Sequence, residues 1–94
     1  MTQRYCTYVL KSERDNHLYI GLTSNLRKRV DEHNRGKVRS TKSRRPLSLV
    51  YYEEHEDKTL GRKREIFLKS GQGRLFLKDK LKELREDRGV DVAI

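Results

Sequence analysis

The chain has no tryptophan, one proline, one cysteine and one methionine, and its longest runs of large aliphatic or phenylalanine residues are three long, as in Ile66-Phe67-Leu68. A membrane span needs ~20 consecutive apolar residues and a secretory leader an apolar stretch of at least ~7. Neither is expected, so the sequence reads as a cytoplasmic protein that does not enter a membrane. A lone Cys6 cannot close an intrachain disulfide, which fits a reducing compartment, and within the apolar-aromatic run around it Cys6 reads as a small buried hydrophobe. One cysteine and three scattered histidines (His17, His33, His55) supply none of the paired spacings of a structural zinc site.

Acid is the other scarcity. The segment RGKVRSTKSRR, Arg35 to Arg45, holds six bases (Arg35, Lys37, Arg39, Lys42, Arg44 and Arg45) and no carboxylate. Over all 94 residues, 23 Lys and Arg face 14 Asp and Glu, a net charge of +9. That excess points to a polyanion, and nucleic acid is preferred to a lipid surface because no segment sets large apolar residues opposite a basic face. Hydrophobic residues are only 33% of the chain and charged ones 39%. The apolar positions nevertheless recur with strand and helix periods, so the expectation is one folded domain, residues 1–94, with a small core.

Two β-branched and aromatic runs, RYCTYVL and HLYIGLT, flank the polar KSERDN, which reads as a β-hairpin. A turn centred between Glu13 and Arg14 sets Tyr8 directly opposite Tyr19, and a slip of two in the pairing sum still leaves both on one face. Apolar groups on both faces of the first strand predict a sheet covered on more than one side. Thr23, Ser24 or Asn25 can cap the next helix, which Gly36 stops. Taking about 100° per residue from Leu26, Val30 falls near +40°, His33 near −20° and Arg29 near −60°, so Arg29 and His33 border the buried stripe. LSLVYYEE, residues 47–54, reads as a third strand. A second helix follows, capped near Asp57 or Thr59 and ended at Gly71, and then a third carrying Leu77, Leu81 and Leu84. The closing VDVAI is frayed or a short edge segment. The fold class is α/β (α+β), a three-stranded antiparallel sheet flanked by helices in the order ββαβαα.

The order and spacing of Thr7-Tyr8-Val9, Tyr19-Ile20-Gly21, Arg29 and His33 in the following helix, and Glu65 in a later one resemble the GIY-YIG nuclease superfamily over roughly residues 5–81. The likeness is greatest to its small single-domain members, similar to the N-terminal domain of the excinuclease that carries this fold. Arg29 lies ten residues after Tyr19, where the superfamily carries its catalytic arginine. The resemblance implies a DNA endonuclease of repair or recombination, structure-biased or nonspecific, with a divalent cofactor, Mg²⁺ or in its place Mn²⁺. It implies Tyr19 as the base and Tyr8 as the residue that positions water and phosphate. Arg29 would serve the phosphoryl oxygens, His33 would relay a proton or hold a phosphate, and Glu65 would bind the metal.

The chemistry is consistent with those roles. Phosphodiester hydrolysis needs an activated in-line water, positive charge on the non-bridging oxygens and relief for the leaving oxygen. A phenol, with an ordinary pKa near 10, needs nearby cations to act as a base. A guanidinium supplies such a field and a planar fork of donors, and Mg²⁺ is content with one or two carboxylates. The six bases of the 35–45 loop would track phosphates without reading sequence.

Each residue also has a structural alternative: strand packing for the tyrosines, a solvated charge for Arg29, a helix C-terminal cation for His33 and an ion pair with Lys69 or Arg62 for Glu65. Aligned on Tyr8, the first motif reads Cys6-Thr7-Tyr8, with neither Gly nor Ile. No asparagine follows Glu65, and Gln72 is the one carboxamide there. The rival reading is a basic nucleic-acid-binding module that does not cut, and a third is a domain that works only inside a larger assembly.

Overall fold

Strand β1 (Tyr5–Ser12) lies in the middle of a three-stranded antiparallel sheet, with β2 (Leu18–Thr23) on one side and β3 (Leu47–His55) on the other. Helices α1 (Leu26–Asn34), α2 (Lys58–Lys69) and α3 (Gly71–Asp87) complete the expected ββαβαα order, with a short 3-10 turn at Lys42–Arg44. The structure, a computed structural model, describes residues 4–87. The closing VDVAI lies outside them.

The hairpin turn is organised by two side chains. Ser12 Oγ accepts the backbone N–H groups of Arg14 and Asp15, and Asp15 Oδ1 accepts that of His17 at 3.0 Å. Asn16 takes the left-handed backbone conformation, φ 63°, that asparagine tolerates. The resulting register differs from the expected one by two: Tyr8 faces Gly21, and Tyr19 faces Leu10. An even shift preserves the alternation, so the two tyrosines share a face as diagonal rather than direct neighbours.

Alternation along β1 divides the core. Tyr8 and Leu10 join Leu47 on one face, against Leu26 and Val30 of α1. Val9 points the other way into Leu68 of α2 and Leu77 of α3, with Phe67 and Phe76 beside them. The sheet is thus covered on both sides, as the apolar residues on both faces of the first strand predict. Cys6 is half-buried rather than buried, because it sits near the end of β1 in a shallow depression beside Tyr52 and Glu54.

Asn25 caps α1 by accepting the Lys28 N–H, and Gly36, at φ 78°, turns the chain after Arg35 where a side chain would be strained. The Asn34 carboxamide then bonds the Leu47 backbone in both directions, at 2.9 and 2.8 Å, fixing the end of α1 to the start of β3. Asp57 caps α2. The expected break before α3 shrinks to Ser70, which ends α2 and whose hydroxyl accepts the Gly73 N–H at the start of α3.

Candidate active site

A cleft of about 810 Å³ opens along the outer edge of the sheet. Four consecutive β2 residues, Tyr19 to Leu22, line it. An edge strand exposes both of its faces, so α1 reaches the cleft from one side with Arg29 and His33, and α2 from the other with Glu65. All five residues singled out as catalytic or metal-binding (Tyr8, Tyr19, Arg29, His33 and Glu65) therefore meet in one cleft.

Tyr8 stands on the central strand yet reaches this edge by crossing β2 over Gly21. A Cβ added at Gly21 would lie 2.5 Å from Tyr8 Cζ, so only the missing side chain lets the phenol pass. Its hydroxyl is 3.0 Å from His33 Nε2 and accepts an N–H from Arg29 Nε at 3.4 Å. On the far side of the imidazole, His33 Nδ1 is 2.8 Å from Thr41 Oγ1, and the Thr41 hydroxyl points at the Val38 carbonyl at 3.5 Å. These contacts have a direction. In the tautomer where the Thr41 hydroxyl gives its proton to Val38, Thr41 Oγ1 accepts from His33 Nδ1–H and Nε2 accepts the Tyr8 hydroxyl.

Tyr8, His33 and Thr41 are all buried. Burial first, and then the Arg29 charge, lower the His33 pKa below the usual 6.5 against a smaller opposing pull from Glu32, so the imidazole is neutral at neutral pH. Arg29 is held in place by Glu32 at 3.2 Å. Tyr19 contributes a wall: its ring lies 5.2 Å from that of His17, tilted by 52°.

Among the described residues Glu65 is the one carboxylate lining the cleft, and its side chain is only 8% exposed. Both structural pairings foreseen for it exist, Arg62 at 2.9 Å and Lys69 at 2.9 Å. Burial pushes its pKa upward, but hydrogen bonds from Lys69 and Arg62 outweigh that and leave it lowered, so it is a carboxylate at neutral pH. Among the described residues no three His, Cys, Asp or Glu side chains gather as a metal cluster. An ion here would have one protein carboxylate. That fits Mg²⁺, which keeps most of its waters and takes substrate oxygens, and it does not fit a metal that needs a full protein cage.

The six bases of the loop are placed differently from the catalytic set, since none of them lines the cleft. Arg35 pairs with Asp31 at 2.9 Å, Arg44 pairs with Asp15, and Arg45 Nε donates to the Lys42 carbonyl at 2.8 Å. Lys37, Arg39 and Lys42 are exposed and form no ion pair among the described residues. What the loop gives the cleft is Val38, Ser40 and Thr41. Gln72 is exposed on α3 and does not line the cleft either.

Among the described residues the cleft's own cations are Arg29 and three residues of α2: Lys58, Arg62 and Lys63. The sequence pattern singles out neither Lys58 nor Lys63, and Arg62 figures in it only as a partner of Glu65. A signal was present, because positions 58, 62 and 65 follow one stripe of a helix. Thr41 carried none: a threonine eight residues after a histidine has no recognisable spacing.

The family model described as the GIY-YIG catalytic domain matches residues 4–78. Among curated proteins, a UPF0213 protein of Bacillus cereus is 37% identical over 67 residues, covering 70% of this chain and 69% of its own length. One from Clostridium perfringens is 43% identical over 63 residues, 66% of this chain and 67% of that protein. One from Staphylococcus haemolyticus is 40% identical over 68 residues, 71% and 82% respectively. The solution NMR structure of a UPF0213 protein from Bacillus halodurans superposes with a TM-score of 0.52 at 23% identity, covering 96% of this chain and 97% of that one, a likeness of fold.

Proposed function

This chain belongs to the GIY-YIG catalytic domain family, whose catalytic domain is that of nucleases, and on that premise we propose that it is a Mg²⁺-dependent DNA endonuclease. Its cutting is structure-biased or nonspecific, in DNA repair or recombination. The observation that carries this reading is the Tyr8 hydroxyl, bonded at once to His33 Nε2 and Arg29 Nε, in the cleft that also holds Glu65.

The base in this reading is Tyr8 rather than Tyr19, because Tyr8 has both a proton acceptor and a cation on its oxygen. As a water oxygen bonds to phosphorus, the water proton passes to Tyr8 Oη while the Tyr8 proton passes to His33 Nε2. The bond from phosphorus to the leaving oxygen breaks on the opposite side, and the leaving oxygen keeps the electron pair. Arg29 Nε holds the phenolate character on Tyr8, and its remaining N–H groups suit the non-bridging oxygens. Thr41 keeps the imidazole in the receptive tautomer and stays bonded to the imidazolium that forms. Tyr19 walls the pocket and orients water and phosphate.

Glu65 fits a single Mg²⁺, or Mn²⁺ in its place, which when bound supplies positive charge to the leaving oxygen. Lys58, Arg62 and Lys63 line the α2 wall where the substrate backbone would lie, and Lys37, Arg39 and Lys42 are the loop cations left to meet phosphates outside the cleft. Such contacts set affinity and orientation without reading bases.

The test is nicking of supercoiled and branched DNA with and without Mg²⁺, alongside binding of the same DNA in chelator. Metal-dependent nicking supports the reading. Binding without nicking would replace it with the nucleic-acid-binding module.

A further inference from the structure

A second cationic groove lies on another part of the molecule, between the hairpin and α3. Lys11 of β1 and Arg74, Lys78, Lys82 and Arg85 of α3 surround it, over an apolar floor that includes Leu18 and Leu81, and among the described residues no carboxylate lines it. The cations are not a random sample of α3. At about 100° per residue from Arg74, Arg85 falls near 20°, Lys78 near 40° and Lys82 near 80°, whereas Asp79 and Glu83 fall near 140° and 180°. Among the described side chains of α3, the groove thus meets four cations and no acid, while Asp79, Glu83 and one further cation, Lys80 near 240°, turn away.

The stripe from Arg74 to Arg85 spans ~16 Å along the helix, at ~1.5 Å per residue, the axial rise of about five phosphates on one strand at ~3.4 Å each. The groove and the catalytic cleft also meet on the same edge strand, since Leu18 lines the first and Tyr19 the second. Structural needs do not account for this arrangement. Like charges gathered on one face repel, and the apolar contact of α3 is made by Leu77 and Phe76.

We infer that this groove is a second backbone-binding site, holding the DNA duplex beside the segment that enters the cleft. This rests on the reading that the ligand is DNA but not on the reading that the DNA is cut. With contacts on both sides of β2, the duplex is gripped at two places and its orientation in the cleft is set by phosphates alone.

The experiment measures equilibrium binding of an unbroken duplex, long enough to cover both features, as a function of salt and in chelator so that no cleavage intervenes. It compares wild type with Lys78→Gln/Lys82→Gln and with Arg14→Gln/Arg27→Gln, a pair of exposed cations outside both grooves that removes the same charge. Circular dichroism checks that each is folded. The groove pair should flatten the log–log salt slope by up to about 1.8, at ~0.9 for each phosphate no longer engaged, while the comparator leaves it unchanged. Equal effects of the two pairs, or none from the groove pair, would overturn the site. So would a groove pair that keeps duplex binding but loses binding to anionic lipid vesicles, which would give the groove to a membrane surface. Absence of nicking by a wild type that binds through the groove would remove the nuclease reading and leave this one standing.

Discussion

The hydroxyl of Tyr8 and Nε2 of His33 lie 3.0 Å apart, both residues buried and 25 positions apart in sequence. One comes from the central strand and the other from the last turn of α1. Their approach joins a phenol to a neutral imidazole in the wall of a cationic cleft, a pairing suited to taking a proton from water near neutral pH.

Removing either half should cost catalysis without costing affinity. Tyr8→Phe and His33→Gln are each expected to slow nicking by about 10²–10⁴, the usual worth of a positioned proton-transfer group, with DNA affinity unchanged in chelator. Because the two act as one unit, the double variant should be little slower than either single one. Additive losses in a kinetic cycle would show that they act independently.

In the proposed mechanism Thr41 is a positioning residue. Thr41→Val leaves His33 Nδ1–H buried without a partner, which costs about 1–3 kcal/mol in stability and releases the tautomer. The expected signature is a change in the nitrogen-15 shifts of His33 together with a lower kcat at unchanged KM, both restored by Thr41→Ser. A variant that only melts earlier, with wild-type shifts and turnover, would leave Thr41 a packing residue.

Gly21→Ala tests the passage of Tyr8 over β2. The added methyl would overlap the phenol, so either the ring or the strand must move, at a cost of about 1–3 kcal/mol. Nicking should fall more than stability does, because in the proposed mechanism the displaced ring is the reactive one. Unchanged turnover would mean that the position of Tyr8 is not critical.

The His33 shift has a definite sign in pH. A histidine with a lowered folded pKa binds fewer protons folded than unfolded. Its contribution to stability is complete above about 6.5 and is lost as pH falls through that value toward the folded pKa. Glu65 and Glu53, lowered in the native state by their cationic partners against the opposing effect of burial, act in a lower window. Their contribution is present above the ordinary carboxylate range and is lost as pH falls through their folded values. Thermal melts should therefore decline in two steps on acidification, and His33→Gln should lack the upper step. A variant with the wild-type profile near pH ~6.5 would contradict the assignment.

Much of this was legible in the sequence because it depends on local periodicities. Alternation in RYCTYVL and HLYIGLT marks two strands, and the even parity of a hairpin slip kept Tyr8 and Tyr19 on one face although the register itself moved by two. Helical angles placed Arg29 and His33 at the border of the α1 stripe, where both are found. The basic loop was read from composition alone, and composition carries no direction. Arg35, Arg44 and Arg45 turned to local acceptors, whereas small residues of the same loop formed the cleft wall. The role of Thr41 and the convergence of Lys11 with α3 arise from contacts across the chain, which no spacing rule encodes.

The most direct measurement compares wild type with Glu65→Ala for Mg²⁺-dependent nicking of supercoiled DNA, with folding and DNA affinity measured on the same preparations. Loss of a carboxylate should not weaken attraction to phosphate, and the two cations it releases, Arg62 and Lys69, are more than half exposed and can return to water. The expected result is a folded Glu65→Ala protein that binds DNA as wild type does and does not nick it, beside a wild type that nicks only with the metal. Wild-type nicking by Glu65→Ala, or a wild type that binds DNA with Mg²⁺ present and leaves it intact, would contradict the assignment of Glu65 as the metal-binding carboxylate of a nuclease.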